Sequence, residues 1–303
     1  RSVNVRIIEV KKSQDEPGTS NVLPEDPFVG MSLDGRIVEP PFDMLTLSML
    51  AEHNGELGEC IEAMEVNCEA TGHRYVPRVK IDTHDQQTTP LERSVEAERV
   101  RLVNFFTYAT NESFTQFRRR LRRDLESTGN AYIEVIRDSQ GQIQGFTHIP
   151  SYQMRLRVLD EDEILIDRPI VELQVGGEVV AKTRKEWRRF RAFVQSRAVL
   201  RGNVRLAAGG YKLRWFKEWL DPRIMDRDTG EFTATAGTDK LGNAVYEPLP
   251  KGKRPASEVI HLKLYSTRTP YGLPRYIGNL LAIYGDRKAA EINYITMANN
   301  NIP

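Results

Sequence analysis

Two clusters of basic residues are the stretches of this sequence best suited to chemistry, because arginine and lysine bind the phosphate groups of nucleic acids. One runs from Arg118 to Arg123, and the other lies within residues 184–191. The alternative is a solvated surface whose arginines pair with acidic residues of this chain or of a neighbouring subunit. Because 43 lysines and arginines are balanced by 42 acidic residues, we favour this second interpretation. The residues that we predict to contact other subunits are Arg118, Arg119, Arg120, Arg122, Arg123, Arg188 and Arg189.

No other arrangement of residues predicts catalysis. The stretch Gly237–Ala244 has the outer glycines of a phosphate-binding loop, but Asn243 stands where the essential lysine belongs, so we interpret it as a turn. The pair His84-Asp85 lies in a polar loop, where solvated surface is more common than an acid and base. The sequence contains neither a His-Glu-x-x-His nor a Gly-x-Ser-x-Gly motif, and its 2 cysteines are too few for a metal site. We therefore predict no enzymatic activity, no metal and no cofactor.

The composition is that of a folded protein without a membrane-spanning segment. Of the 303 residues, 40% are hydrophobic, which is enough to bury the core of one large domain or of two. No apolar run approaches the roughly 18 residues of a membrane-spanning helix, and the amino terminus lacks the apolar core of a signal peptide. We expect a soluble protein that is intracellular when made. Because the chain begins with Arg1 rather than methionine, we expect a fragment of a longer protein.

The first part of the chain divides into an arm and a helical region. Residues 1–39 combine a short apolar run with a stretch rich in charged residues, proline, glycine and serine, which predicts an arm or linker. From residue 40 to about residue 129, apolar residues recur at helical spacing. The predicted helix starts follow Pro41, Thr89 and Ser113, and the predicted breaks or stops are at Gly55, Gly72 and Gly129. The last two of these helices are joined by a few residues, so they should pack antiparallel.

After Gly129 the spacing of apolar residues changes to two, which predicts strands and hairpins as far as residue 270. The predicted strands are at 131–135, 154–158, 164–166, 211–219 and 259–265, with a hairpin turn at Gly176-Gly177, and residues 188–194 could be a strand or a helix. The clearest strand is the last, in which Ile260, Leu262 and Leu264 alternate with His261 and Lys263 as in a half-buried strand.

A long helix is predicted to begin at Pro274 and to continue to about Asn300. At about 1.5 Å per residue it would run for roughly 40 Å, which is more than a small domain needs. We therefore expect it to lie against something outside this chain. The residues predicted to form its apolar stripe are Ile277, Leu281, Tyr284, Ile292 and Ile295.

Several separated stretches resemble the portal proteins of tailed bacteriophages, specifically the PBSX-like branch. These stretches are Glu59–Met64, Leu125–Val135, Asp221–Asp226, Leu264–Gly278 and Asn299–Pro303. The resemblance covers roughly residues 40–303. The residues that it identifies as structural positions of the family motifs are Gly129, Asn130, Asp221, Pro222, Arg223, Pro270, Tyr271, Gly272 and Pro274.

The resemblance implies an α+β fold, with a helical and mixed-sheet wing domain followed by a long stem helix in a portal-type ring subunit. Residues 40–270 would be the wing domain and residues 271–303 the first stem helix, and we expect the chain to end before the clip, the second stem helix and the crown. The implied partners are further copies in a ring, usually of twelve, together with the major capsid protein, the terminase large subunit, head-completion and tail connector proteins, and double-stranded DNA bound without regard to sequence. The implied location is the portal vertex of the virion, after assembly in the host cytoplasm.

A channel through which DNA slides should present isolated charges rather than base-specific contacts. The candidates on the predicted stem helix are Lys288, Arg287, Glu291 and Asn299, of which we place Lys288 first. A salt bridge from Lys288 to Glu291 or Asp286 is the alternative. For the protein as a whole, the competing hypothesis is a nucleic-acid-binding or processing protein that uses the basic clusters 118–123 and 184–191.

Overall fold

The fold is mixed α+β, as predicted. The computed structural model describes residue 28 and residues 36–76, 90–173, 179–198, 200–201, 204–205, 211–239 and 243–298. The helices are α1 (Met44–His53), α2 (Gly55–Glu65), α3 (Pro90–Tyr108), α4 (Phe114–Thr128) and α5 (Leu280–Ala298). A π-helical segment at Val66–Ala70 continues α2, and short 3₁₀ helices at Ser151–Gln153 and Arg275–Asn279 precede β4 and α5. The predicted arm lies mostly outside the described residues, as do His84-Asp85 and Gly176-Gly177.

The strands follow the helical region, except for one short strand near residue 37. They are β1 (Ile37–Val38), β2 (Asn130–Arg137), β3 (Ile143–Ile149), β4 (Met154–Arg157), β5 (Ile164–Leu173), β6 (Val179–Arg188), β7 (Ala192–Ala198), β8 (Leu200–Arg201), β9 (Val204–Arg205), β10 (Tyr211–Glu218), β11 (Thr235–Thr238), β12 (Ala244–Tyr246) and β13 (Glu258–Lys263). Seven of them form one sheet in the order β1-β4-β7-β10-β13-β2-β3. Within it β10 and β13 are parallel, and the other neighbours are antiparallel.

The remaining strands form two-stranded ladders, β5 with β6, β8 with β9 and β11 with β12. The last of these is a hairpin within the Gly- and Thr-rich stretch before residue 255. A tight turn joins β2 to β3, in which Asp138 accepts from the backbone N–H groups of Gln140 and Gln142 and Gly141 has a φ of +79°. Residues 188–194 are not helical, since β6 ends at Arg188 and β7 begins at Ala192.

Both faces of the seven-stranded sheet are buried. Adjacent residues on one strand point to opposite faces, so Phe193 joins a core cluster with Tyr132 and Val259, whereas Val194 packs with Trp215. Further along the second face, α4 covers β2 and β3 through Phe117 and Leu121. The sheet is therefore the scaffold against which the helices are placed.

Capping residues define the boundaries of these helices, and those at Ser113 and Gly129 were predicted from the sequence. Asp43 accepts from the backbone N–H groups of Leu45 and Thr46 at the start of α1, and Asn54 accepts from Leu57 N at 2.9 Å at the start of α2. Ser113 caps α4, which Gly129 ends in a left-handed conformation with a φ of +79°. These contacts satisfy backbone groups that the ends of helices leave without intrahelical partners.

The prediction that α3 and α4 pack antiparallel along their lengths is wrong. Most side chains of α3 are exposed, among them Val100 and Val103. The two helices contact each other near their connection, where the rings of Phe106 and Phe114 are 4.7 Å apart. Hydrophobic spacing predicted the helix, but it did not predict which surface, if any, would cover its apolar residues.

The alternation of burial predicted for the last strand is not observed. Burial instead decreases along β13: Val259 is fully buried, Ile260 and His261 are half-buried, and Leu262 (39% exposed) and Lys263 are exposed. His261, expected on the outer side, stacks on Tyr132 with the ring centroids 4.6 Å apart. Burial lowers the pKa of His261 to about 3, so its ring is neutral near neutral pH. The pairing of β13 with β2 determines the position of the His261 ring, because it places His261 directly opposite Tyr132.

Candidate functional site

The chain segment that leads into α5 crosses the point at which α4 gives way to β2. Asn130 is completely buried there, and its side chain acts as a bridge between the two segments. The Asn130 Oδ1 atom accepts from Gly272 N at 2.7 Å, while its Nδ2 group donates to Gly272 O at 3.1 Å. His261 Nε2 lies 3.0 Å from the same Oδ1 atom and, with its neutral ring, can donate to it. We call the contact of Gly129 and Asn130 with Tyr271 and Gly272 the junction.

The two glycines of the junction are in backbone contact. The N–H of Leu264 donates to Gly129 O at 2.9 Å. A Cβ atom placed on Gly129 would lie 2.5 Å from the carbonyl carbon of Leu273, and one placed on Gly272 would collide with Gly129 O. Both positions therefore require glycine because the two segments approach so closely.

Two tyrosines complete the attachment of this segment. Tyr271 is completely buried, and its hydroxyl donates to Val38 O at 2.7 Å and accepts from Leu156 N at 2.9 Å. Tyr276 donates to Ser127 O at 2.6 Å, and burial raises the pKa of its hydroxyl. The family-motif residues Gly129, Asn130, Tyr271 and Gly272 are thus close in space, although Asn130 and Gly272 are 142 positions apart in the sequence. The Lys263 Nζ group donates a hydrogen bond to Pro270 O at 2.8 Å.

The other predicted family motif, Asp221-Pro222-Arg223, forms a separate polar cluster. Arg223 lies 2.7 Å from Asp221, which is buried, and 2.6 Å from Asp160. Its guanidinium also lies 3.7 Å from the centroid of the Phe232 ring. The cluster fixes the loop after β10, so its role in the described structure is to support the fold.

Helix α5 packs on the body by a face that the sequence did not predict. The residues that meet Leu50, Leu57 and Ile61 of α1 and α2 are Tyr276, Leu280, Ile283 and Tyr284. Of the predicted stripe, Tyr284 is in this contact, whereas Leu281, Ile292 and Ile295 are 87%, 62% and 56% exposed. The spacing of three and four is that of a helix, but the apolar residues extend around most of its circumference, so the spacing alone did not identify the covered face.

The side of α5 that faces away from the body carries no charge over about three turns, from Leu281 to Ile292. Successive residues of an α-helix are about 100° apart around its axis, so five exposed residues fall on this side. We call them the outer face of α5, and they are Leu281, Ala282, Gly285, Ala289 and Ile292. From Ile292 to Ala298 every residue except Thr296 is exposed, so the last two turns project from the body. Small residues beside a leucine and an isoleucine form a surface that another helix can approach closely.

The charged candidates on α5 lie beside the outer face or on the side of the body. Lys288 is 70% exposed and donates to Glu291 at 2.6 Å, and Arg287 is 3.4 Å from the same carboxylate. These two contacts lower the pKa of Glu291. Arg287 and Glu291 are half-buried, so Lys288 is the most accessible of the three. Asn299 lies outside the described residues.

The basic cluster 118–123 is engaged within this chain. Arg118 and Arg122 pair with the buried carboxylate of Glu69, and Arg122 does so at 3.0 Å. Arg119 and Arg123 pair with buried Glu65 at 3.6 and 2.5 Å, and Arg120 pairs with Glu112 at 3.2 Å. These pairs join α4 to α2 and the π-helical segment, where each buried carboxylate needs a cation. The prediction that these arginines contact other subunits remains a prediction, and their charges are largely compensated.

The second basic cluster is divided between two places. Arg184 and Lys185 lie on β6, which pairs only with β5 among the described strands. Arg188 pairs with Glu218 at 2.5 Å, and Arg189 lies 3.3 Å from Glu163. Arg188 and Arg189, like the first cluster, were predicted to contact other subunits, and that prediction is untested.

The described part of the chain contains no group of three His, Cys, Asp or Glu side chains placed to hold a metal ion. Among the same residues, no helix is long and apolar enough to cross a membrane. Three features are therefore left for a functional site. They are the junction, the outer face of α5 and the charged surface around Arg188, Arg189 and Glu218.

Two curated proteins of Bacillus subtilis (strain 168) are similar to this chain in sequence. The uncharacterized protein YqbA is 31% identical over 297 residues, a match that covers 97% of this chain and 50% of YqbA. The phage-like element PBSX protein XkdE is 30% identical over 294 residues, which covers 96% of this chain and 52% of XkdE. This chain is therefore similar in sequence to a protein of a phage-like element. It spans about half the length of the curated relatives it matches, and no family model matches it.

Two solved structures are similar at a low level. The neck of an empty GTA particle, computed with C6 symmetry, has a TM-score of 0.46 and 13% identity, covering 90% of this chain and 51% of that one. The virion of a native gene transfer agent (GTA) particle has a TM-score of 0.45 and 13% identity, covering 89% of this chain and 49% of that one. Values this low do not bear on function.

Proposed function

We propose that this protein is a portal subunit of a tailed phage or phage-like element. The observation that carries the proposal is the outer face of α5, an uncharged and exposed helix surface held rigidly by the junction. A ring satisfies such a surface, because each copy can cover the helix of the next. The similarity to a PBSX protein and the portal-like sequence motifs support the same conclusion.

In this proposal residues 1–39 are an arm, residues 40–270 the wing domain and residues 271–303 the first stem helix. The ring, usually of twelve copies, stands at the portal vertex of the virion after assembly in the host cytoplasm. Its partners are the major capsid protein, the terminase large subunit, head-completion and tail connector proteins, and the double-stranded DNA that passes through it. The protein uses no cofactor and catalyses no reaction, and the motor that drives packaging is a separate protein.

Ring formation tests the proposal. In the complete gene product, Leu281→Glu should abolish self-association, because a charge would replace an apolar contact between copies. It should leave the free energy of unfolding of the chain within about 0.5 kcal/mol, since Leu281 is 87% exposed. Tyr108→Glu, at an 82% exposed position on α3, is the matched control and should still assemble. Light scattering and negative-stain images measure the outcome, and a protein that is monomeric over a wide concentration range would refute the portal assignment.

Lys288 is proposed to line the channel. A ring of lysines makes weak contacts to phosphates that weaken with salt and do not read the sequence. Lys288→Glu should therefore leave the ring intact and impair packaging or retention of DNA, with an effect that depends on salt. Lys251→Glu, at an exposed position in a turn of the body, makes the same charge change and should package normally. If the two variants package equally well at low and high salt, Lys288 is only a surface residue that pairs with Glu291.

A further inference from the structure

A cavity of about 280 Å³ opens beside the central strands. Leu159, Trp219 and Pro270 form part of its apolar wall, and the basic residues Arg191 and Lys263 line it together. Arg188, Arg189 and Glu218 also border the cavity, and they are involved in the ion pairs described above. The cavity is therefore apolar on one side and positively charged on the other.

Arg191 and Lys263 differ from the other basic residues of the cavity in their partners. Arg191 is half-buried and donates from Nη1 to the carbonyl of Arg157 at 2.9 Å, while Lys263 donates to the carbonyl of Pro270. Within the residues that the structure describes, neither side chain forms an ion pair with a carboxylate. Carbonyl groups accept hydrogen bonds from both cations but do not neutralise them.

The acidic residues near the cavity are shared among more cations than they can neutralise. Glu218, its acidic wall residue, pairs with Arg188 and also attracts Arg191 and Lys263, and Asp160, which attracts Arg191, pairs with Arg223. His261 is neutral because burial lowers its pKa to about 3. Burial also lowers the pKa of Arg191, and burial followed by the charge of Arg191 lowers the pKa of Lys263. Arg191 and Lys263 thus line a partly desolvated cavity in which neither has a carboxylate of its own, which is an arrangement that a bound anion stabilises.

We propose that this cavity binds an oxyanion, a phosphate or carboxylate group, between Arg191 and Lys263. The group comes either from a free anion in solution or from an acidic side chain of a second copy of this chain. In both cases the guanidinium of Arg191 donates two hydrogen bonds to the anion and the ammonium of Lys263 supplies a second charge. Binding of a free anion does not rest on the proposed function, because it is measured on unassembled protein, whereas binding of a second copy rests on the self-association proposed above.

The first arm of the test uses inorganic phosphate and sodium acetate as probes of unassembled protein. Calorimetry should detect saturable binding of at least one of them, and Arg191→Gln and Lys263→Gln should each weaken it by roughly tenfold or more. Arg184→Gln, which removes one positive charge from β6 outside the cavity, should change the affinity by less than about twofold. If Arg191→Gln fails to fold, as judged by circular dichroism, the more exposed Lys263 position carries the comparison.

The second arm distinguishes the source of the anion. If neither probe binds, Arg191→Glu and Lys263→Glu should reduce self-association in sedimentation velocity, whereas Arg184→Glu should not. That result would assign the site to a carboxylate of a second copy, and saturable binding that depends on Arg191 would assign it to a free anion. The proposal is wrong if no probe binds and the two charge reversals assemble like Arg184→Glu. Because these variants leave Leu281 intact, a failure of this site is distinguishable from a failure of ring formation.

Discussion

Replacing Gly129 by alanine should lower the free energy of unfolding by about 3–5 kcal/mol, because two separate penalties add. The first is backbone strain, since Gly129 has a φ of +79° in the left-handed region. The second is steric, since the new Cβ would lie 2.5–2.7 Å from backbone atoms of Leu273 and Gly272. Backbone atoms in the junction cannot move aside without disturbing the hydrogen bonds of Asn130. Urea denaturation monitored by circular dichroism measures the loss.

Gly141→Ala is a closely matched control for this prediction. Gly141 has the same φ of +79°, but no atom lies within 4 Å of the position that its Cβ would occupy. This variant should therefore show the strain alone, about 1–2 kcal/mol. Hydrogen exchange of α5 should also become faster in Gly129→Ala and not in Gly141→Ala, because the junction attaches α5 to the body. Equal losses of unfolding free energy in the two variants would show that the added Cβ atom at position 129 has no steric cost.

Replacing Tyr271 by phenylalanine should lower the free energy of unfolding by about 2–4 kcal/mol, although one oxygen atom alone is removed. The hydroxyl bridges Val38 O and Leu156 N, which belong to residues directly opposite each other in the pairing of β1 with β4. Without it, Leu156 N loses its partner in a buried place that water does not readily reach, and Val38 O loses a partner in a half-buried one. The edge strand β1 should then separate more easily from the sheet, which hydrogen exchange of Ile37 and Val38 would report.

Tyr265→Phe provides the same chemical change at an exposed position. Tyr265 is 84% exposed, so water replaces any contact of its hydroxyl and the free energy of unfolding should change by less than about 0.5 kcal/mol. Chemical denaturation of the two variants under identical conditions gives the comparison. A loss in Tyr271→Phe no larger than that in Tyr265→Phe would mean that the buried hydroxyl does not stabilise the sheet.

Features that depend on neighbouring residues were predictable from the sequence. The caps at Ser113 and Gly129, the break between α1 and α2, and the change from helix to strand at Asn130 all occur where the local pattern placed them. A capping side chain bonds backbone groups two or three residues away, and a glycine admits a positive φ wherever the chain needs one. Neither effect requires knowledge of the rest of the fold. The strand β3 is an exception, since its polar residues conceal the alternation.

Features that depend on distant partners were not predictable in the same way. Arg155 lies between Met154 and Leu156 in β4 and is only 2% exposed. It can be buried because its guanidinium donates to the carbonyls of Tyr152 and Met154 and lies over the Phe28 ring. The arginines of the first basic cluster pair with Glu65 and Glu69, about 50 residues earlier. Periodicity identifies a face of an element but does not say what the face meets.

The same distinction between local and long-range features applies to the candidate site. The sequence alone predicted a long helix after Pro274, although the α-helix begins only at Leu280, after a 3₁₀ helix at Arg275–Asn279. It also singled out Gly129, Asn130, Tyr271 and Gly272 as motif residues, because motifs and local spacing are properties of the chain itself. Only the tertiary structure decided that these residues meet in one junction, that α5 packs through Leu280 and Ile283 rather than Leu281, and that Arg191 and Lys263 share a cavity. Hydrophobic and electrostatic energies depend on which surfaces are brought together, and that is set by the pairing of strands far apart in sequence.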